Sequence, residues 1–146
     1  MQFKTNNKKQ KTKNEQRVTS NGIYQLLIYL SRKKKIQVGK KGSFEFPRGY
    51  YLYTGSAKNG LKSRIKRHLR KGKKLFWHID YLLRYGKIVD ILLYPENKRS
   101  ECEINQRMLC QKNAKIIMPR FGSSDCRCET HLVYAELEEF RRILRT

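Results

Sequence analysis

Apolar residues in this chain fall into short blocks, and the period of the pattern changes from block to block. Gly22 to Leu30, GIYQLLIYL, is apolar at both odd and even positions. That is the pattern of a central strand covered on both sides, or of a buried helical segment. Ile36 to Val38 and Phe44 to Phe46 flank Gly39-Lys40-Lys41-Gly42 and read as a hairpin. Tyr50 to Thr54 is aromatic and β-prone, and Gly55, Ser56, Asn59 and Gly60 after it supply turn chemistry. From Leu61 the period becomes helical, with Leu61, Ile65 and Leu69 on one buried stripe and Gly72 as the C-cap. Phe76 to Tyr85 is a second helix, and Ile88 to Tyr94 a third core strand closed by Pro95. Ser100 opens a third helix with a capping box to Glu103 and a stripe of Ile104, Met108 and Leu109. Leu132 to Leu137 reads as a last strand and Glu138 to Arg145 as a short amphipathic tail. Together these predict an α/β (α+β) fold: a small, mostly antiparallel central sheet of about three core strands plus an inserted hairpin, flanked by helices.

Charge changes the picture at the amino end. The chain has 34 Lys and Arg against 12 Asp and Glu, a net charge of +22. Six of those basic residues and a single acid lie in the first seventeen residues, which are otherwise polar. The expectation is a disordered basic arm over residues 1–20, then one domain over residues 21–146. So large an excess points to a polyanion: DNA most of all, RNA, or an anionic membrane surface. A lysine-rich proteome accounts for scattered lysines, but less well for Lys62 to Lys74, with eight basic residues and no acid. The amino end lacks the apolar core of a secretory signal, and no stretch approaches a membrane span. A cytoplasmic protein is expected, without membrane insertion and with no protein partner inferred. Its four cysteines are then thiols or metal ligands.

Helical phase isolates the first candidate chemistry. Arg64 and His68 lie four residues apart at the edge of the buried stripe, with Lys62, Lys66 and Arg70 on the solvent side. An arginine at the margin of a core, beside a strand that delivers tyrosines, suggests a phosphate site. The alternative is an arginine that snorkels its head to water. Further on, Cys126-x-Cys128-x-x-His131, completed by Cys102, makes a candidate tetrahedral zinc set; buried thiols with an ordinary histidine are the alternative. Ser123, Ser124 and Asp125 either orient a site group or form an Asx-type turn. His78 on the second helix reads as a hydrogen-bonded fold residue rather than a phosphate contact.

Gly22-Ile23-Tyr24 followed by Tyr53-Thr54-Gly55 resembles the signature of the GIY-YIG nuclease superfamily, with threonine for the middle apolar residue of the second half. Beyond the signature the order of residues is similar too: Ser56, Asn59, Leu61, then Arg64, with His68 where homing endonucleases of the superfamily carry a histidine, and Glu101 or Glu103 on a later helix. The hairpin between the signature halves, WHIDYLL and FGSSDCRCETH resemble the Uri-type subfamily. The likeness runs from Gly22 to about Tyr134, and departs from the family where Pro119-Arg120-Phe121 leads into Gly122-Ser123-Ser124-Asp125 instead of an asparagine. It implies a divalent-metal-dependent endonuclease that hydrolyses phosphodiesters in DNA, in repair, recombination or defence, with Mg2+ or Mn2+ as cofactor.

By the same resemblance Tyr24 and Tyr53 point their hydroxyls into one site, Tyr24 acting as or with the general base. Arg64 holds the phosphate bidentately and His68 relays a proton or binds phosphate. Glu101 is the expected metal ligand over Glu103, because Glu103 is occupied at the helix cap while Glu101 shares the inward stripe with Asn105. Lys58, Lys62, Lys66, Arg67 and Arg70 are the expected nucleic-acid contacts. A catalytically inactive nucleic-acid-binding module of the same fold, and a zinc-stabilised interaction domain, are the alternatives.

Overall fold

Strand β1 (Gly22–Leu30) runs through the middle of the sheet because both of its faces are apolar. Tyr24, Leu26, Ile28 and Leu30 enter one buried cluster, and Leu27 enters another on the opposite face. In the computed structural model, which describes residues 21–58, 60–95, 100–124 and 126–144, β4 (Gly49–Ala57) and β5 (Lys87–Pro95) flank β1, both antiparallel. β6 (Leu132–Ala135) pairs antiparallel with β4, so the order is β5-β1-β4-β6. β2 (Lys34–Gln37) and β3 (Ser43–Phe46) form the inserted hairpin as a separate two-stranded sheet. Its residues Ile36, Val38 and Phe46 plug the first cluster.

Helices cover both faces of the four-stranded sheet. α1 (Leu61–Leu69) and α2 (His78–Leu83) bring Leu61, Ile65, Ile79 and Leu82 against Tyr24, Tyr51 and Tyr53. α3 (Glu101–Leu109) and α4 (Leu137–Leu144) bring Met108 and Phe140 against Leu27, Leu52 and Val133. The mixed α/β fold with an antiparallel sheet and an inserted hairpin is the one predicted, with β6 as a full fourth strand. The expected arm, Asn59 and Asp125 lie outside the described residues. Among those described, no helix is long and apolar enough to cross a membrane.

Three local expectations are corrected. Gly55 and Ser56 do not turn the chain; β4 continues through them to Ala57. Gly55 lies directly opposite Tyr24, and a Cβ on it would stand 2.5 Å from the Tyr24 hydroxyl oxygen. The glycine is there so that a phenol can lie across the neighbouring strand. Helix α1 ends at Leu69 rather than near Gly72, and Leu69 is exposed. Lys73 Nζ caps its end by donating to the carbonyls of His68 and Arg70. Helix α2 starts at His78, not Phe76, because the Asp80 carboxylate accepts the N–H groups of both Phe76 and Trp77 and caps the first turn.

Candidate functional site

Tyr24 on β1 and Tyr53 on β4 share one face of the sheet, their ring centroids 6.3 Å apart. His68, in the last turn of α1, meets both rings, at 5.3 Å from Tyr24 and 6.3 Å from Tyr53. The Tyr24 hydroxyl lies 2.7 Å from His68 Nε2. All three side chains are buried. Burial pushes the Tyr24 phenol well up, and the Arg64 guanidinium beside it only partly offsets this. Burial raises Tyr53 too, helped by Tyr24 and Glu101. His68 is pushed down to about 3, first by burial, with Asp80 opposing and Lys73, Arg64 and Arg67 adding to it. At neutral pH the Tyr24–His68 bond therefore joins two uncharged groups. His68 Nδ1 is buried without a hydrogen-bond partner.

Arg64 reaches the same place from one turn earlier on α1. Its Nη1 donates to the Ser56 carbonyl at 3.0 Å, and its guanidinium lies 4.4 Å from the centre of the Trp77 ring. Ser56 then donates from its hydroxyl to Glu101 Oε1 at 3.3 Å. One strand residue thus ties the arginine to the carboxylate. Glu101 Oε2 faces His131 Nδ1 at 3.2 Å, and the Glu101 side chain keeps 27% exposure. Glu103 is exposed, and its backbone N–H donates to the Ser100 hydroxyl at 3.1 Å. The two glutamates are divided as helical phase requires, one inward and one at the cap. Asn105, a turn beyond Glu101, is buried with its Nδ2 on the Thr130 carbonyl and its Oδ1 unpartnered.

The basic residues separate into two kinds. Lys58, Lys62, Lys66 and Arg70 are exposed, as predicted. Arg67 is not a free surface cation: it grips Asp80 with both Nη atoms at 2.8 and 2.9 Å and lies 4.1 Å from the Trp77 ring centre. Asp80 is fully buried, so its charge requires that partner. Burial alone would raise the Asp80 carboxyl; Arg67 and the Phe76 and Trp77 N–H groups pull it below the ordinary range. A groove of about 1030 Å³ opens behind His68, bordered by Arg70, Lys71, Lys73, Arg84 and Lys87.

Cys102, Cys126, Cys128 and His131 form one cluster whose ligand atoms all lie within 4.8 Å of one another, a set that can hold a metal ion. His131 Nε2 is 3.4 Å from Cys126 Sγ and 3.8 Å from Cys102 Sγ. A tetrahedral zinc with Zn–S of about 2.3 Å and Zn–N of about 2.0 Å has S–N edges of roughly 3.5 Å, so the spacing fits. Burial and the neighbouring thiols push Cys102 up to about 12. Cys126 moves the other way: burial opposes, but the Cys128 backbone, both thiols and His131 outweigh it. Arg120 fixes the loop, donating to the carbonyls of Cys128 at 2.7 Å and Cys126 at 2.6 Å from a left-handed backbone, φ 64°. Ser123 is buried with a hydroxyl that has no partner among the described residues, and Ser124 is exposed. His78 Nδ1 accepts from the Gly122 N–H at 2.8 Å, a fold contact as read from the sequence.

Sequence reasoning misses Ser56 as a bridge, Trp77 as the plate beneath two guanidiniums, Asp80 as the partner of Arg67, and Arg120 as the clamp of the cysteine loop. Only Trp77 leaves a usable trace, since Arg64 and Arg67 are one turn apart on the same helix. A family model described as a domain of unknown function, DUF123, matches residues 23–146. No curated protein and no solved structure matches the chain.

Proposed function

The chain belongs to the DUF123 family, a family of unknown function, and from its own side-chain geometry we propose that it is a GIY-YIG-type, Uri-like endonuclease that hydrolyses phosphodiester bonds in DNA with a divalent metal ion. The observation that carries this reading is the bonded arrangement of Tyr24, His68, Arg64, Ser56 and Glu101, drawn from two strands and two helices. Phosphodiester hydrolysis needs a clamp on the phosphate, a route for the water's proton and a stabiliser for the leaving oxygen. Arg64 has five donors; one goes to the Ser56 carbonyl and another faces the Tyr24 hydroxyl, and the rest are available to a phosphate. With its hydroxyl on His68 Nε2, Tyr24 would relay the proton of an attacking water, passing its own to Nε2 as it takes one from the water. In the free protein this transfer is uphill, because the phenol is held up and the imidazole down. A bound phosphodiester would cancel Arg64 at both groups, relieving the depression of His68 but also removing the offset that Arg64 gives Tyr24, so the transfer depends on the water being activated from another side, as by a metal ion at Glu101.

The half-exposed Glu101 carboxylate suits Mg2+ or Mn2+, which bind through one or two carboxylates and keep most of their waters. When bound there, such an ion would polarise a phosphoryl oxygen and neutralise the leaving group. Exposed Lys58, Lys62, Lys66 and Arg70 would follow the nucleic-acid backbone without reading sequence. The Cys102, Cys126, Cys128 and His131 set is read as a structural zinc site, and four free cysteines fit a reducing cytoplasm.

The inactive binding module is the second reading, favoured by one feature: burial holds both phenols and His68 towards their neutral forms. Single-stranded, duplex and branched DNA and RNA, incubated with purified protein and Mg2+ or Mn2+, separate the two. The nuclease reading expects cleavage of at least one DNA form and a loss on the order of 100-fold in Glu101→Ala. Binding to every form with cleavage of none overturns it in favour of the module.

A further inference from the structure

Glu101 and Cys102 are consecutive residues in the first turn of α3, yet they serve different clusters. Glu101 meets Ser56 beside Arg64, and Cys102 meets the other thiols. The ring that lies between the two clusters belongs to His131. Its Nε2 faces Cys126 and Cys102, while its Nδ1 faces Glu101 Oε2 at 3.2 Å and the Thr54 carbonyl at 3.1 Å. We propose that a zinc ion held by Cys102, Cys126, Cys128 and His131 orients the Glu101 carboxylate through the His131 ring, so that the thiol cluster is a positioning site for the acid beside Arg64. Its bearing on catalysis rests on the reading of Glu101 as the acid of the phosphodiester site.

The chemistry is that of a carboxylate–histidine–metal chain. A metal on Nε2 takes the lone pair there and leaves the ring proton on Nδ1, where two acceptors wait. Those two acceptors already favour a proton on Nδ1; the ion excludes a second proton from Nε2 and locks the ring in place. The backbone around the ring is already fixed: the His131 carbonyl accepts from Thr54 N, and the His131 N–H donates to the Phe121 carbonyl. What the ion adds is a fixed ring whose Nε2 can neither take a proton nor turn away, and that fixes the donor facing Glu101. Arg120 prepares the other side of the cluster by holding the carbonyls of Cys126 and Cys128. The loop also packs on Tyr53: a Cβ at Gly122 would stand 3.0 Å from the Tyr53 ring and 3.4 Å from His131 Cβ.

Coupling of this kind is reciprocal, so the carboxylate must also strengthen the zinc. Losing the outer partner of a metal-bound histidine typically lowers metal affinity about 10- to 100-fold. The test is an equilibrium zinc competition against a chromogenic chelator on the reduced full chain, together with the visible spectrum of the cobalt(II)-substituted protein. Wild type is expected to bind a single zinc tightly. Glu101→Gln keeps that stoichiometry but binds zinc about tenfold or more weakly and shifts the cobalt d–d bands. Glu101→Asp, which keeps the charge but draws it back by one methylene, shows a smaller loss in the same direction. Glu103→Gln, at the exposed cap of the same turn, behaves as wild type. Failure of wild type to bind stoichiometric zinc overturns the metal site. Equal affinities and cobalt spectra for Glu101→Gln and Glu103→Gln overturn the coupling. Neither readout involves nucleic acid, so absence of nuclease activity leaves this result standing and bears only on the endonuclease reading.

Discussion

Arg64 and Arg67 stand one turn apart on the same helix, and both lay a guanidinium over the Trp77 ring. Beyond that they are opposites. Arg67 closes on a fully buried carboxylate with two short bonds and adds the Lys74 carbonyl. Arg64 has one backbone acceptor and the Tyr24 hydroxyl beside it, and the nearby Glu101 carboxylate is tied to it through Ser56. One arginine has spent its donors on a buried carboxylate, and the other, with no carboxylate of its own among the described residues, has kept several of them. Spare hydrogen-bonding capacity at the edge of a core, with an acid and two phenols nearby, marks a place where a ligand completes the arrangement.

The contrast can be broken most forcefully at Arg67. Arg67→Ala leaves Asp80 buried without its cation, which should cost about 3–5 kcal/mol of stability. Arg64→Ala should cost well under about 1 kcal/mol of stability, because Arg64 gives up one backbone acceptor and a ring contact at a half-open site. Urea unfolding of both variants checks this, and equal losses would erase the distinction. Titration of His68 has the next largest effect. Its folded value is about 3 against an ordinary 6.5, so the unfolded chain takes up the proton first as pH falls. The stability it contributes is complete above pH 6.5 and disappears as the pH drops towards 3, with a slope of about 1.4 kcal/mol per pH unit. His68→Gln should flatten that part of the stability profile. The smallest effect lies on the outer face of α1. Neutralising Lys66 and Arg70 should lower affinity for all sequences alike, and the salt slope should flatten by about 0.9 for every duplex phosphate no longer neutralised.

How much of this can be read along the chain depends on whether the relevant partners are local. β1, the hairpin, α1 and the α3 cap follow from periodicity and from residues three or four apart, so they are visible in the sequence. Tyr24, Tyr53, Arg64, His68 and Glu101 are picked out by helical phase and by the resemblance, and in the fold they come together. Gly55 is misread because a glycine carries the same letter whether it bends the chain or makes room for a ring. Arg67 is expected among the nucleic-acid contacts, and its tie to Asp80 is missed because that partner sits on another helix, where nothing in the spacing announces a buried carboxylate. Ser56 bonds an acid forty-five residues away, and the partners of the Arg120 guanidinium among the described residues are backbone carbonyls, which carry no sequence signal at all.

The spare donors of Arg64 are the point on which the rest turns, and a paired assay of DNA binding and DNA cleavage by wild type and Arg64→Ala addresses them directly. If Arg64 clamps the reacting phosphate, cleavage falls by about 100- to 1,000-fold while affinity for uncleaved DNA changes only a few-fold. Cleavage by Arg64→Ala at the wild-type rate would contradict the account.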